Sequence, residues 1–174
     1  NNEFVIPGAN ETGGFRPHDR ITITIGKICM ADLFDDNAYA HDPRSQFLSW
    51  GLMDNGAWDY AANVRGYTPA FAVELFKGTN ELRYALALLP TVANGAEMQW
   101  DLGRSRSHML EYARHFRWHG RPGVVRVLAF HNTAPMGDYR SSIADGAGGP
   151  SIVSTRKDAR TKWGIGLNIE QELA

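Results

Sequence analysis

Cysteine is almost missing from this chain. Cys29 is its one thiol, so no internal disulfide can staple the fold and no zinc cluster can form around it. A small buried residue is the simpler reading of Cys29 than a reactive thiol. Long hydrophobic runs are missing too. No stretch approaches the roughly 18 apolar residues that a membrane-crossing helix requires. Crossing by strands stays open, because a membrane barrel places its apolar side chains at alternate positions and looks polar on average. Charge of one sign is also missing. Lys and Arg number 18 against 19 Asp and Glu, a net charge of -1, so no bulk electrostatic term draws in nucleic acid. There are no internal repeats or charge blocks, and no nucleophile elbow, Walker loop or zinc signature. The Gly-rich run from Gly146 to Gly149 is too generic to count as a phosphate cradle, and it belongs to a loop. With 174 residues starting at Asn1, the chain reads as one domain, residues 1–174, in the form of a mature or excised segment.

What is present is alternation. Ile21, Ile23 and Ile25 alternate with Thr22 and Thr24, the period of a strand with one apolar face. Trp163, Ile165, Leu167 and Ile169 repeat the pattern near the end. Between them lies a hairpin whose register can be worked out. If Gly78-Thr79 is a type II′ turn, Lys77 faces Asn80. Leu75 then faces Leu82, Val73 faces Tyr84 and Phe71 faces Leu86. The opposite face pairs Glu74 with Arg83 and Ala72 with Ala85. A slip of one residue would destroy both sets, so the agreement is informative. Two further strands are expected over His108–Trp118 and Gly123–His131, joined by His119 to Pro122. A basic helix over Arg104–His119, with His115 and His119 as a metal pair, is the competing reading. It lacks a third ligand nearby.

The connections sort by length. A long segment, Ile28 to Arg65, is followed by the tight Gly78-Thr79 turn. A long loop (Thr91 to Ser107), a short one and a long one (Asn132 to Lys162) come next. Outer-membrane barrels alternate short periplasmic turns with long extracellular loops. Six strands fall short of the roughly eight that close the smallest such barrels, so the chain is expected to be part of a larger one.

The segment from Ala31 to Arg65 concentrates Asp and aromatic residues. Asp42-Pro43 is a good helix start and Asn55-Gly56 a stop, which predicts a short helix over Pro43–Met53. Three uses fit the composition: a loop packed for stability, a surface that stacks sugar rings and bonds their hydroxyls, or a calcium site. The spacing of Asp32, Asp35, Asp36 and Asn37 does not follow the EF-hand pattern, which weakens the third. Of the 18 basic residues 14 are Arg, whose planar fork suits carboxylates and vicinal hydroxyls. Compositional bias explains that count equally well.

At these residues the chain resembles a known family. Gly26-Lys27, then Asp32-Leu33-Phe34-Asp35-Asp36-Asn37-Ala38-Tyr39-Ala40, Asp42-Pro43-Arg44 and Gln46-Phe47-Leu48 are similar to the carbohydrate-selective porins of the OprB type. Asn55-Gly56-Ala57-Trp58-Asp59-Tyr60, Arg65-Gly66-Tyr67-Thr68 and Pro90-Thr91-Val92-Ala93-Asn94-Gly95 continue the resemblance. It implies an all-β fold, a portion of an antiparallel transmembrane β-barrel with a short helix in a long loop. It also implies passive diffusion of sugars and small polar solutes across a bacterial outer membrane. The partners expected are small sugars as permeants and outer-membrane lipids, with self-association into a homo-oligomer as a candidate. No cofactor, metal or nucleic acid is expected.

The residues expected along the solute path and its constriction are Asp35, Asp36, Asp42, Arg44, Trp50, Trp58, Asp59 and Arg65. Glu74, Glu81 and Arg83 are expected on the lumen wall. A soluble sugar-binding β-sandwich is the alternative, and it would remain monodisperse without detergent. An enzyme is the weaker rival. Glu74 and Glu81 could be read as a glycosidase carboxylate pair, but they lie beside Arg83, which suits ion pairing better than acid catalysis.

Overall fold

The structure is a computed structural model that describes residues 2–5, 13–46, 52–56, 58–144 and 149–173. A short ribbon comes first, pairing β1 (Asn2–Val5) with β2 (Gly14–Pro17). Then six strands form one sheet in sequence order: β3 (Arg20–Ile28), β4 (Thr68–Lys77), β5 (Asn80–Ala87), β6 (Arg106–Trp118), β7 (Arg121–Met136) and β8 (Lys157–Gln171). Every neighbouring pair is antiparallel. The sheet is open, with β3 and β8 at its edges, as expected of part of a barrel.

The β4–β5 register is the one the sequence dictates: Lys77 opposite Asn80, Leu75 opposite Leu82, Glu74 opposite Arg83. Gly78 has φ 58 while Thr79 is outside the positive-φ region, the pattern of a type II′ turn. Residues 106–118 are a strand, so the helical alternative for Arg104–His119 is overturned. Alternation over Met109–Ala113 wins because a pleated surface places Leu110 and Tyr112 on one side, and Met109, Glu111 and Ala113 on the other. His115 and His119 consequently share no helix face. His115 bonds Glu81, while His119 sits in the β6–β7 turn against the Trp118 ring.

Two boundaries differ from expectation. The β6–β7 turn is only His119-Gly120, with φ 50 and 80, a type I′ hairpin rather than a four-residue loop. The β7–β8 connection runs from 137 to 156, because β7 and β8 extend past their apolar stretches through polar residues such as Thr133 and Arg160. That connection contains the short helix α1 (Tyr139–Ala144). Residues 43–46 form a turn in which the Gln46 N–H donates to the Asp42 carbonyl at 2.9 Å, and residues 47–51 of the expected Pro43–Met53 helix lie outside the described ones. The capping role of Asp42 is nevertheless present: it accepts from the Arg44 N–H at 3.0 Å and from Ser45 Oγ at 2.7 Å.

The two faces of the sheet differ sharply. Reading the register across all six strands gives three consecutive rows on one face. The outer two are Ile21-Leu75-Leu82-Tyr112-Val127-Leu167 and Ile25-Phe71-Leu86-His108-His131-Trp163, and Ile23-Val73-Tyr84-Leu110-Ala129-Ile165 lies between them. These rows contain no Asp, Glu, Lys or Arg, and Ile23 and Leu110 are 61% and 47% exposed. The next row on one side carries Lys27 and Arg106, and the next on the other carries Lys77 and Arg114. Between these rims β4 runs from Pro69 to Lys77. Eight residues at about 3.3 Å each, tilted by about 40°, span on the order of 20 Å, close to the apolar band of an outer-membrane barrel. No helix among the described residues is long and apolar enough to cross a membrane, which leaves crossing by strands untouched.

Candidate functional site

The other face of the sheet carries the chemistry. Its rows read Thr24-Ala72-Ala85-Met109-Phe130-Gly164, Thr22-Glu74-Arg83-Glu111-Leu128-Gly166 and Arg20-Phe76-Glu81-Ala113-Arg126-Asn168. Small residues dominate the first row, which leaves room for another layer of chain. The connection between β3 and β4 fills it. Met30, Phe34, Trp58 and Ala61 from this loop form one buried cluster with Ala72, Ala85, Ala87, Met109, Leu128 and Phe130 of the wall. The long loop therefore folds back onto this face of the sheet.

Polar ties hold it at three heights. Near the long-loop rim, Asn132 Nδ2 donates to the Asp59 carbonyl at 2.8 Å, and Lys162 Nζ lies 3.0 Å from Asp59 Oδ2. In the middle, the Asp35 N–H donates to Glu111 Oε2 at 2.7 Å. Toward the short turns, the Ala38 N–H donates to Glu170 Oε2 at 3.1 Å. The loop also organises itself. Asn37 Oδ1 accepts from the Tyr39 and Ala40 N–H groups, and His41 Nδ1 lies 3.0 Å from Asp54 Oδ1. These short Asx-type bonds explain the density of Asp and Asn here. They account for Asn37 as a turn former, while the Asp35 backbone N–H docks the loop on Glu111.

On the wall, Arg83 is the centre of an ion cluster. Its Nε is 3.2 Å from Glu74, its Nη2 2.5 Å from Glu81 and its Nη1 2.9 Å from Glu111. Glu81 also meets His115 Nε2 at 2.8 Å. A second group joins Arg126 to Glu170 and to Asn168 Oδ1. With the loop docked above, both side chains of the Glu74–Arg83 pair are largely covered. Glu111, buried completely, was missed by sequence reasoning. Working out the β5–β6 register would have found it, because it lies directly opposite Arg83. Arg126 interrupts an apolar pattern only if the wrong face is assumed. It points inward with Glu81 and Ala113.

The expected path residues divide into two sets. Asp35 is buried beneath the loop, and burial pushes its carboxyl up to about 6, with Glu111 and Asp54 nearby adding to the rise. Trp58 is also buried, its ring packed between Phe34 and Tyr60 at centroid distances of 5.9 and 5.3 Å, so it presents no open face. Asp36, Arg44, Asp59 and Arg65 are exposed, and Asp42 is half-buried. Arg44 is paired to Asp42 at 2.9 Å, whose carboxyl is held down at about 2 by bonds from Ser45 and Arg44. Trp50 lies outside the described residues. Cys29 is half-buried, and burial pushes its thiol up, as a non-reactive thiol requires.

A continuous sheet with a charge-free band on its outside, an ion-paired wall inside and a loop folded onto that wall is the cross-section of a porin. The family model of the carbohydrate-selective porins, OprB family, matches residues 10–174. The chain belongs to the OprB family. Curated proteins and solved structures gave no match. The OprB assignment makes the six-stranded sheet a portion of an outer-membrane β-barrel and makes the chain part of a sugar-conducting channel rather than a soluble sugar-binding sandwich. Outer-membrane barrels turn their apolar face to lipid, their polar face to the lumen and their short turns to the periplasm.

Proposed function

We propose that the loop from residue 29 to residue 67 narrows the sugar path of this OprB-family channel, and that its exposed polar residues bond the hydroxyls of passing sugars. The observation that carries this reading is the buried cluster joining Met30, Phe34, Trp58 and Ala61 to Ala72, Ala85 and Met109. A loop held against the inner wall occupies cross-section that a loop lying outside the mouth leaves free. Asp36, Asp42, Arg44, Asp59 and Arg65 supply acceptors and donors on its accessible surface, and Glu74, Glu81 and Arg83 set the field of the wall beside it. Asp35 and Trp58 act as anchors, placing the others without touching solute. Outer-membrane lipid covers the three apolar rows.

The arrangement suits diffusion rather than catalysis. The wall carboxylates are tied to arginines in fixed ion pairs, three of them sharing Arg83, which holds them as paired anions rather than as free acids poised for proton transfer. Reconstitution of the full-length protein in planar bilayers tests the reading. Added sugar should lower the ion current in a concentration-dependent way. A current indifferent to every sugar tried, at concentrations that leave bulk conductivity unchanged, would refute it.

A further inference from the structure

The β1–β2 ribbon is separate from the six-stranded sheet, and β1 precedes the residues that match the family model. Alternation gives the ribbon two faces. Phe4 and Phe15 pair on one, edge to face at 5.1 Å, both exposed. Glu3 and Arg16 pair on the other. Glu3 Oε1 accepts from Arg16 Nε at 2.6 Å and from Arg20 Nη1 at 2.9 Å. Arg20 belongs to the inward row of the wall, and its guanidinium stacks over the Phe76 ring at 3.7 Å. Asp19, between ribbon and sheet, accepts the N–H of Gly78 in the short turn at 2.9 Å. The ribbon is thus fastened to the lumen side of the sheet at its short-turn end. Between ribbon, loop and wall lies a polar cleft of about 570 Å³, with Glu3 and Arg16 from the ribbon, Asp32 and Asp36 from the loop, and Glu81 and Arg83 from the wall.

We propose that this ribbon forms a second narrowing of the channel, at the periplasmic mouth, with the Glu3–Arg16–Arg20 cluster as its ion-paired hinge to the wall. The inner loop narrows the lumen from the long-loop side, and the ribbon bounds the space left below it. A solute that clears the loop therefore crosses the polar cleft before release. The cleft is large enough for a small sugar and presents carboxylates and guanidinium groups in place of an apolar surface. This inference rests on the sheet being a porin wall but not on the loop being the constriction.

Thiol labelling of the full-length channel in planar bilayers tests it. Phe4→Cys and Phe15→Cys, each in a Cys29→Ser background, place a thiol on the exposed face of the ribbon without disturbing Glu3. A bulky thiol reagent added on the short-turn side should cause a stepwise loss of conductance, with labelling verified by mass. Glu3→Gln, which removes the negative charge that pairs with both arginines, should weaken sugar block from the short-turn side and leave block from the long-loop side at the parent level. Fully labelled channels that conduct like the parent overturn the proposal, and so does an equal change in sugar block from both sides in Glu3→Gln. If loop deletion is silent while the labelled ribbon still reduces conductance, the loop reading fails and this one stands.

Discussion

Replacing Leu110 by Arg tests the lipid-facing assignment at its centre. Leu110 sits in the middle of the three charge-free rows, and on the same strand Tyr112 lies one row nearer the short-turn rim, with Arg114 at the rim itself. Each row corresponds to two residues, or about 5 Å of depth at a tilt near 40°. Leu110 therefore lies roughly 10 Å from either rim, near the bilayer midplane. An arginine there costs roughly 2–4 kcal/mol, falling to about 0–1 kcal/mol near the interface. In the folding equilibrium the midplane figure corresponds to about 30- to 900-fold. Arg114 shows that the cationic side chain is accepted at the rim of this strand. Urea titrations of the full-length protein in lipid vesicles should rank Leu110→Arg as clearly more destabilising than Tyr112→Arg. The second change carries its own penalty, since the Tyr112 hydroxyl donates to Asn80 at 2.6 Å. Equal stability of Leu110→Arg and parent would refute the assignment of this face to lipid.

Three further outcomes follow from the inner face. Glu111→Ala removes the acceptor of the Asp35 N–H and one partner of Arg83, leaving buried groups unpaired; a loss of about 3–5 kcal/mol is expected in denaturant titrations, with faster proteolysis of the loop. Docking of the loop should tighten on mild acidification: Asp35 has its folded-state value near 6, above the ordinary 3.8, so the stabilisation is complete below about 4 and is lost as pH rises through about 6. His41, raised chiefly by its bond to Asp54, acts in the same direction, and amide exchange over residues 29–46, corrected for its intrinsic pH dependence, should be slower at low pH than at neutral pH. Gly166→Leu should loosen the loop yet leave the barrel able to assemble, because even a Cβ there would come within 2.2 Å of the Asn55 side chain; unchanged loop protection would contradict that contact.

The strands and their pairing were legible because the bilayer enforces strict alternation. Ile21 to Ile25, the Phe71–Leu86 hairpin and Trp163 to Ile169 carry the two-residue period of a strand, which a helix does not share. The strand ends were less legible. Outside the apolar band both faces are wet, so Lys157 to Lys162 carry no period, although their backbone still pairs with β7. The ribbon was invisible for a related reason: two strands of four residues, rich in polar and turn-forming side chains, do not reach the length at which alternation is informative. In the loop, composition marked a segment dense in Asp and aromatic residues but not each residue's task. An aromatic ring that stacks on a sugar and one that fills a core look alike in sequence. Only the small residues opposite, Ala72, Ala85 and Ala87, show that Trp58 has a cavity to fill. Glu111 illustrates the converse, since a carboxylate in a strand reads as solvated until its partners Arg83 and Asp35 are placed.

Deletion of Pro43 to Asn55 in the full-length protein, followed by single-channel recording with and without sugar, addresses the inward loop most directly. The deletion removes much of the loop between its Asp35 and Asp59 ties and keeps both. A loop that narrows the path predicts a larger unitary conductance and a weaker sugar block. Parent-level conductance together with parent-level block would contradict it.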